Sequence, residues 1–276
     1  MGEDVIGSAD AASAIASMIE AAREAGEIAL KFFHAGERTS ARIDYKTGGS
    51  PVTQADLAVD VFLRARLGKA FAGVGWLSEE TEDDRARLTC AKVLVVDPID
   101  GTRAFLAGDP RWAVSIALVD AGRPVAGVVH APALSQTYAA TSGGGAVLNG
   151  VPIRVSARDT LAGSRIAGPK PMVHSIERAI GTSFVLEPKI PSLAYRVALV
   201  ASGVLDLALA SEQSHDWDIA AADVILEEAG GRLTEASGLP LDYNRSETSH
   251  GVLFGASATM IGPLLAAAQM RGDALA

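Results

Sequence analysis

A layered α/β fold, with sheets sandwiched between helices, is what the sequence predicts, and three observations predict it. Apolar runs short enough for strands alternate with stretches of helical periodicity along most of the 276 residues. The polar turn DAGR (120–123) separates two apolar runs, 112–119 and 124–130, and so forms a hairpin in an antiparallel sheet. The composition is 49% hydrophobic but only 5% aromatic, which gives a sizeable core packed from small side chains. The length suits one compact body with two subdomains.

The elements follow in order. Ile15, Met18, Ile19, Ala22, Ala29, Leu30 and Phe33 recur at helical spacing, with Glu20, Arg23, Glu24, Glu27 and Lys31 on the other side. TGGSP (47–51) is a polar loop. Thr53 caps a second helix carrying Asp56, Leu57, Asp60, Val61 and Phe62. GVGWL (73–77) is a short strand running into Ser78, Glu79 and Glu80. Glu82, Asp83 and Asp84 form a solvated loop or a helix start. VLVV (93–96) is a buried strand, followed by a DPIDGT turn and a helix start. A strand at 137–141 leads into Ser142 and three glycines, which either join the two halves or close a tight hairpin. The second half alternates: strands near 165–167, 184–186, 205–210, from 232 and at 252–254, with helices at 173–179, 192–201, 218–229 and 260–270. Gly230 and Gly231 end the third of these helices.

Several classes are excluded. The net charge of −9 and the lack of any Lys/Arg cluster argue against binding a nucleic-acid polymer. Cys90 is the only cysteine, so neither an intramolecular disulfide nor a cysteine zinc site is possible. Glu3, Asp4, Asp10, Glu20, Glu24 and Glu27 interrupt any targeting segment, and no window is apolar enough to span a membrane. The expectation is a soluble, cytoplasmic protein without membrane partners.

The exit of the VLVV strand carries the chemistry. Asp97 and Asp100 stand there three residues apart, and a carboxylate at the mouth of a buried strand must be paired, hydrogen-bonded or metal-bound. Pro98 stiffens the turn and removes one backbone donor. Like charges this close raise each other's pKa unless a cation lies between them, and no Lys or Arg lies inside the turn. A hard divalent cation answers this, and all-oxygen ligands suit Mg²⁺, Mn²⁺ or Ca²⁺ better than zinc. Gly101 permits close backbone approach, and a helix starting at Thr102 offers free N–H groups to an anion such as phosphate. The plainer reading is that Asp97 ends the strand and Asp100 caps the helix. Glu79, Asp56 and Asp218, the last read as a helix N-cap, are further acids able to approach the same place. Each alone reads equally well as a solvated group or a cap.

Taken together, DPIDGT (97–102), SEE (78–80) and WDIAA (217–221) resemble the inositol monophosphatase superfamily of magnesium-dependent, lithium-sensitive phosphatases. GGSPVTQAD (48–56) and EEAGG (227–231) match it too, and the resemblance runs from the first helix to the end of the chain. It implies a layered αβαβα sandwich, here with subdomains at 1–145 and 146–276. It implies two or three Mg²⁺ ions held by Glu79, Asp97, Asp100, the carbonyl of Ile99, and Asp218. It also implies that Asp56 and Thr102, with Glu79, handle the attacking water, and that the Gly101 and Thr102 amides cradle the phosphate. A homodimer acting on a small phosphorylated metabolite is the implied working unit.

The residue after DGT bears on the substrate. Arg103 is similar to the basic residue of DGTKEF and DGTREF in CysQ-type bisphosphate nucleotidases, where it can pair with a second phosphate. DGTRAF is also similar to histidinol phosphatases, whereas inositol phosphatases more often carry DGTTNF. The acid those enzymes place seven residues before the late aspartate is replaced by Ser211, with Glu212 beside it. Pro191-Ser192 stands where a Gly-Ser or Gly-Thr is expected. Arg103, Ser192, Glu212 and His215 are therefore the candidate substrate contacts. The balance leans to a 3′(2′),5′-bisphosphate nucleotidase converting 3′-phosphoadenosine 5′-phosphate to AMP. Inositol-1-monophosphatase and histidinol-phosphatase are the alternatives, with a non-catalytic regulatory partner protein as the reading from another class.

Overall fold

The structure, a computed structural model, describes residues 8–45 and 51–270. Gly48, Gly49 and Ser50 of the GGSPVTQAD stretch, and most of the TGGSP loop, lie outside the described residues.

Helix α1 (Ser8–Leu30) is followed by a short antiparallel ribbon, β1 (Ile43–Tyr45) against β2 (Pro51–Thr53), and then by α2 (Gln54–Ala70). The sequence suggests α1 as far as Phe33, but the chain turns after Leu30. Next come β3 (Gly75–Ser78), β4 (Lys92–Asp100), the short helix α3 (Thr102–Leu106), β5 (Ala113–Asp120), β6 (Arg123–Ala131), β7 (Gln136–Thr141), β8 (Gly145–Leu148) and β9 (Val151–Pro152). These seven strands form one sheet in sequence order, parallel between β3 and β4 and antiparallel elsewhere. The glycine run after Thr141 closes a hairpin, so β8 and β9 stay with this sheet.

The second half runs β10 (Arg165–Ala167), α4 (Lys170–Ile180), β11 (Val185–Leu186), α5 (Leu193–Ala201), β12 (Leu207–Ala210), β13 (Ser214–His215), α6 (Asp216–Glu228), β14 (Gly231–Thr234), β15 (Ser249–His250), β16 (Leu253–Ser257) and α7 (Ile261–Gln269). A second sheet has the order β11-β10-β12-β16-β14, and β13 pairs with β15 apart from it.

Side-chain alternation assembles the layers. In β4, Leu94 and Val96 face α1 and α2, where they meet Ala25, Leu63 and Leu67. Val93 and Val95 face the other way, toward α5 and α6, and pack with Ala198, Ala221 and Ile225. A continuous apolar run is what a strand covered on both faces requires. In the second sheet, Ala208 and Ala210 face α5 and α6, whereas Leu207 and Leu209 face α4 and α7 with Val173 and Leu264. Helix pair, sheet, helix pair, sheet and helix pair therefore stack as an αβαβα sandwich. Its central layer is rich in alanine, which lets α5 and α6 lie close to both sheets. Among the described residues, no helix is long and apolar enough to cross a membrane.

Candidate active site

Strand β4 does not stop at Val96. It runs through Pro98 to Asp100, with a register irregularity against β5 between Asp97 and Asp100. In a regular strand, residues three apart point to opposite faces. The irregularity re-aims the backbone, and both carboxylates reach the same place. Asp97 also accepts the Ile99 N–H at 2.9 Å, which fixes its side chain over the turn.

Gly101 caps α3 with φ +90°, a left-handed conformation. A Cβ there would come within 3.0 Å of the Ser192 nitrogen, so the start of α5 packs directly onto the DGT backbone. That contact explains how Asp100 is held. Its Oδ2 accepts the Ser192 hydroxyl at 2.5 Å and the Ala194 N–H at 2.7 Å, and its Oδ1 accepts the Leu193 N–H at 3.2 Å. The carboxylate thus sits at the positive end of α5. Ser192 is fully buried and also caps α5 by accepting the Tyr195 N–H at 3.0 Å. The sequence marks Ser192 as a substrate contact; its hydroxyl is instead engaged behind Asp100.

Two more acids arrive by helix capping. Thr53 caps α2 as expected, and Asp56 folds back to accept the Thr53 N–H at 2.7 Å and its hydroxyl at 2.5 Å. The Thr102 hydroxyl lies 3.4 Å from the other Asp56 oxygen and 3.2 Å from the Ile99 carbonyl. At α6 the sequence expectation needs correction. His215, not Asp218, is the N-cap; Asp218 is the third helical residue and accepts the His215 N–H at 2.6 Å. Glu79 follows β3 directly. Parallel pairing puts Ser78 beside Val96, and the Glu79 N–H donates to the Val96 carbonyl at 3.2 Å, so Glu79 arrives next to Asp97.

Carboxylate oxygens of Asp97, Asp100 and Asp218 all lie within 4.8 Å of one another. Burial pushes the Asp97 carboxyl well above its ordinary range, and the charges of Glu79, Asp100, Asp218 and Asp56 add to this. Burial also raises Asp100 to about 6 against the bonds from Ser192, Ala194 and Leu193, and Asp56 to about 6 against its bonds from Thr53. Buried carboxylates that repel one another, all oxygen donors, fit a hard divalent cation.

Asp97, Asp100 and Asp218 line a cleft of about 450 Å³ together with Glu79, Thr102 and Arg103. A larger cleft of about 760 Å³ adjoins it and shares Asp100, Arg103, Lys189 and Asp218. Glu212 lines this second cleft, as does Lys170. His215 lines neither cleft; its ring stacks on Trp217 at 4.6 Å, and its Nδ1 lies 3.1 Å from the Thr248 hydroxyl. Sequence reasoning missed Lys189 and Lys170. The only available signal was their position just before Ile190-Pro191 and just after Pro169, at loop-to-helix junctions.

Comparison with known proteins agrees with this geometry. The model of the inositol monophosphatase family matches residues 10–269. A histidinol-phosphatase of Mycobacterium tuberculosis is 39% identical over 210 residues, covering 72% of this chain and 79% of that protein. A 3′(2′),5′-bisphosphate nucleotidase CysQ of Aggregatibacter actinomycetemcomitans is 32% identical over 243 residues, covering 84% and 87%. Among solved structures, the extragenic suppressor protein suhB of Bartonella henselae superposes with a TM-score of 0.80 at 29% identity, over 92% of this chain and 97% of that one. Family match, fold and the convergence of Asp97, Asp100 and Asp218 all bear on one conclusion: this chain belongs to the inositol monophosphatase family and is a phosphatase.

Proposed function

We propose that this phosphatase is a Mg²⁺-dependent 3′(2′),5′-bisphosphate nucleotidase, converting 3′-phosphoadenosine 5′-phosphate to AMP in the cytoplasm. The observation that carries this is the placing of Arg103 and Lys189, which line both the acidic cleft and the larger cleft beside it. A phosphate at the acids leaves these cations facing the next part of the substrate, where a second phosphate satisfies them. The larger cleft, about 760 Å³, is of the size that takes a nucleoside. The CysQ relative supports the same substrate class.

Asp97, Asp100, Asp218, Glu79 and the Ile99 carbonyl would hold the ions. Bound Mg²⁺ neutralises the carboxylates and the phosphate and lowers the pKa of coordinated water. The protein's own groups do the rest. Asp56 is pinned by Thr53 and reached by the Thr102 hydroxyl. A proton leaving the attacking water passes to Thr102 and on to Asp56, whose pKa of about 6 makes it an acceptor near neutrality. The Gly101 and Thr102 amides orient the phosphoryl oxygens. Three donors from α5 keep Asp100 fixed while this happens.

The test is phosphate release with Mg²⁺ from 3′-phosphoadenosine 5′-phosphate, inositol 1-phosphate, histidinol phosphate and fructose 1,6-bisphosphate. The nucleotide is expected to give the highest kcat/KM. Arg103→Ala is expected to raise its KM about tenfold, with little change for inositol 1-phosphate. A preference for histidinol phosphate instead would favour a second reading. Glu212 supplies a carboxylate for an ammonium group in the same cleft, and the Mycobacterium tuberculosis relative bears that activity's name.

A further inference from the structure

Arg87 lies on the connection from β3 to β4 and is only 2% exposed. Its guanidinium takes Asp83 in a two-pronged pair, Nε to Oδ1 at 2.6 Å and Nη2 to Oδ2 at 2.8 Å. The remaining donors cross to a segment far along the chain. Nη1 donates to Asn244 Oδ1 at 2.7 Å, and both terminal nitrogens donate to the Arg245 carbonyl at 3.1 Å. Asn244 returns a bond from its side-chain amide to the Arg87 carbonyl at 3.4 Å. Its backbone N–H then donates to Asp216 Oδ2 at 2.8 Å.

Both ends of this chain of bonds lie close in sequence to acids of the cluster. Asp83 follows Glu79 by four residues, and Asp216 opens the helix whose third residue is Asp218. We propose that Arg87 is a positioning residue for the metal cluster, fastening the connection that carries Glu79 to the first turn of the helix that carries Asp218. This rests on reading the cluster as the metal site.

Three observations support a device rather than incidental packing. The carboxylates at the cluster repel one another, so the two segments need a tie that holds without the ion. Burying a guanidinium is costly unless its donors are satisfied, and here they are satisfied by both segments at once. Only a planar fork can serve Asp83, the Asn244 side chain and the Arg245 carbonyl simultaneously; a lysine offers a single point charge. Local backbone accommodates the tie. A Cβ on Gly75 would meet Arg87 Cα and Cβ at 3.3 Å, so the glycine lets the arginine sit against β3. Asn244 has φ +57°, which turns its N–H to Asp216 while its side chain faces Arg87.

The experiment uses Arg87→Lys and Asn244→Gly. The glycine suits the left-handed backbone, keeps the N–H to Asp216 and removes the two side-chain bonds between Asn244 and Arg87. Mg²⁺ binding is measured by isothermal titration calorimetry without substrate, with circular dichroism as the fold control, and kcat is measured at saturating Mg²⁺. Both variants are expected to bind Mg²⁺ about tenfold more weakly, while kcat at saturation stays within about threefold of wild type. Should Arg87→Lys fail to fold, Asn244→Gly decides alone. Affinity within about twofold of wild type in a folded variant overturns the positioning role. No Mg²⁺ binding by the wild type would overturn the metal reading itself, a failure distinct from that of the tie.

Discussion

Asp216 and Asp223 are seven residues apart on α6 and share one face, while Asp218 lies about 200° around the helix from Asp216. The two faces treat their acids differently. On the first, Asp216 accepts the Asn244 N–H and lies 2.8 Å from His250 Nε2, and Asp223 accepts the Tyr243 hydroxyl at 2.8 Å. The Tyr243 and His250 rings that serve them are 5.5 Å apart. On the second, Asp218 closes on Asp97 and Asp100, and the charges that act on Asp97 are four other carboxylates. An acid supplied with its own donors is complete within the chain. An acid crowded by like charges fits a cation from outside, and that difference separates architecture from chemistry on a single helix.

The largest effect tests the crowded face. Asp97→Asn or Asp218→Asn is expected to lower kcat/KM at saturating Mg²⁺ by at least about a hundredfold. Removing one charge also relieves repulsion, so either variant should melt at or above the wild-type temperature in EDTA. Wild type should gain about 2.7 kcal/mol when Mg²⁺ reaches a hundred times its Kd, and Asp97→Asn should gain little. Near-normal turnover in either variant would mean that this face is architectural after all.

The opposite face should show itself in stability rather than rate. Burial raises Asp223 from 3.8 to about 7, even though the Tyr243 hydroxyl and Arg123 favour its charged form. A carboxyl whose pKa is higher in the folded chain than in the unfolded one keeps its proton longer when folded. The stability it lends is full below about 3.8 and lost as pH rises through about 7. With Mg²⁺ saturating, so that the cluster acids are ionised throughout, the Asp223 contribution to unfolding free energy should fall by about 2–3 kcal/mol from pH 5 to pH 8; it is read against a rise from His130, which burial holds down at about 4. Asp223→Asn should remove this contribution and leave kcat within about threefold. Urea titrations across that range decide it, and the same slope in the variant as in wild type would assign the titration elsewhere.

How much of this was legible beforehand depended on whether the signal was local. Two acids at the exit of VLVV stand out because they contradict ordinary burial, and Thr53 with Asp56 follows a known cap spacing. The layer order could be read because strands and helices alternate. The irregularity that turns Asp97 and Asp100 to one side could not, since a proline argues against strand continuing through it. Nor could the partner of Ser192, which lies 92 residues away in sequence. The capping role of His215 was hidden because an aspartate three residues on looks like the cap itself. Lys170 and Lys189 have the composition of surface lysines, and only the second sheet's position beside the acidic cleft turns them into lining residues. Long-range register and cross-chain partners are properties of packing, and they carry no local mark.

The smallest effect concerns a crowded acid whose donors come from the start of a helix. Asp100 belongs to the cluster yet receives three bonds from the start of α5, which makes it intermediate between the two faces. Ser192→Ala removes the strongest neutral donor and the cap of α5 together, at a cost of about 1–2 kcal/mol of stability. Losing a bond that favours the carboxylate raises the Asp100 pKa further above about 6. Because the proton and the cation compete for that group, the acid limb of kcat/KM at limiting Mg²⁺ should move to higher pH. At pH 8 and saturating Mg²⁺, kcat should fall by less than about tenfold, and Ser192→Thr should restore both the limb and the melting temperature. A melting loss without any movement of the acid limb would mean that the Leu193 and Ala194 amides alone hold Asp100 ionised. In that case the hydroxyl belongs to the helix, and the boundary between the two kinds of buried acid runs between Ser192 and Asp100.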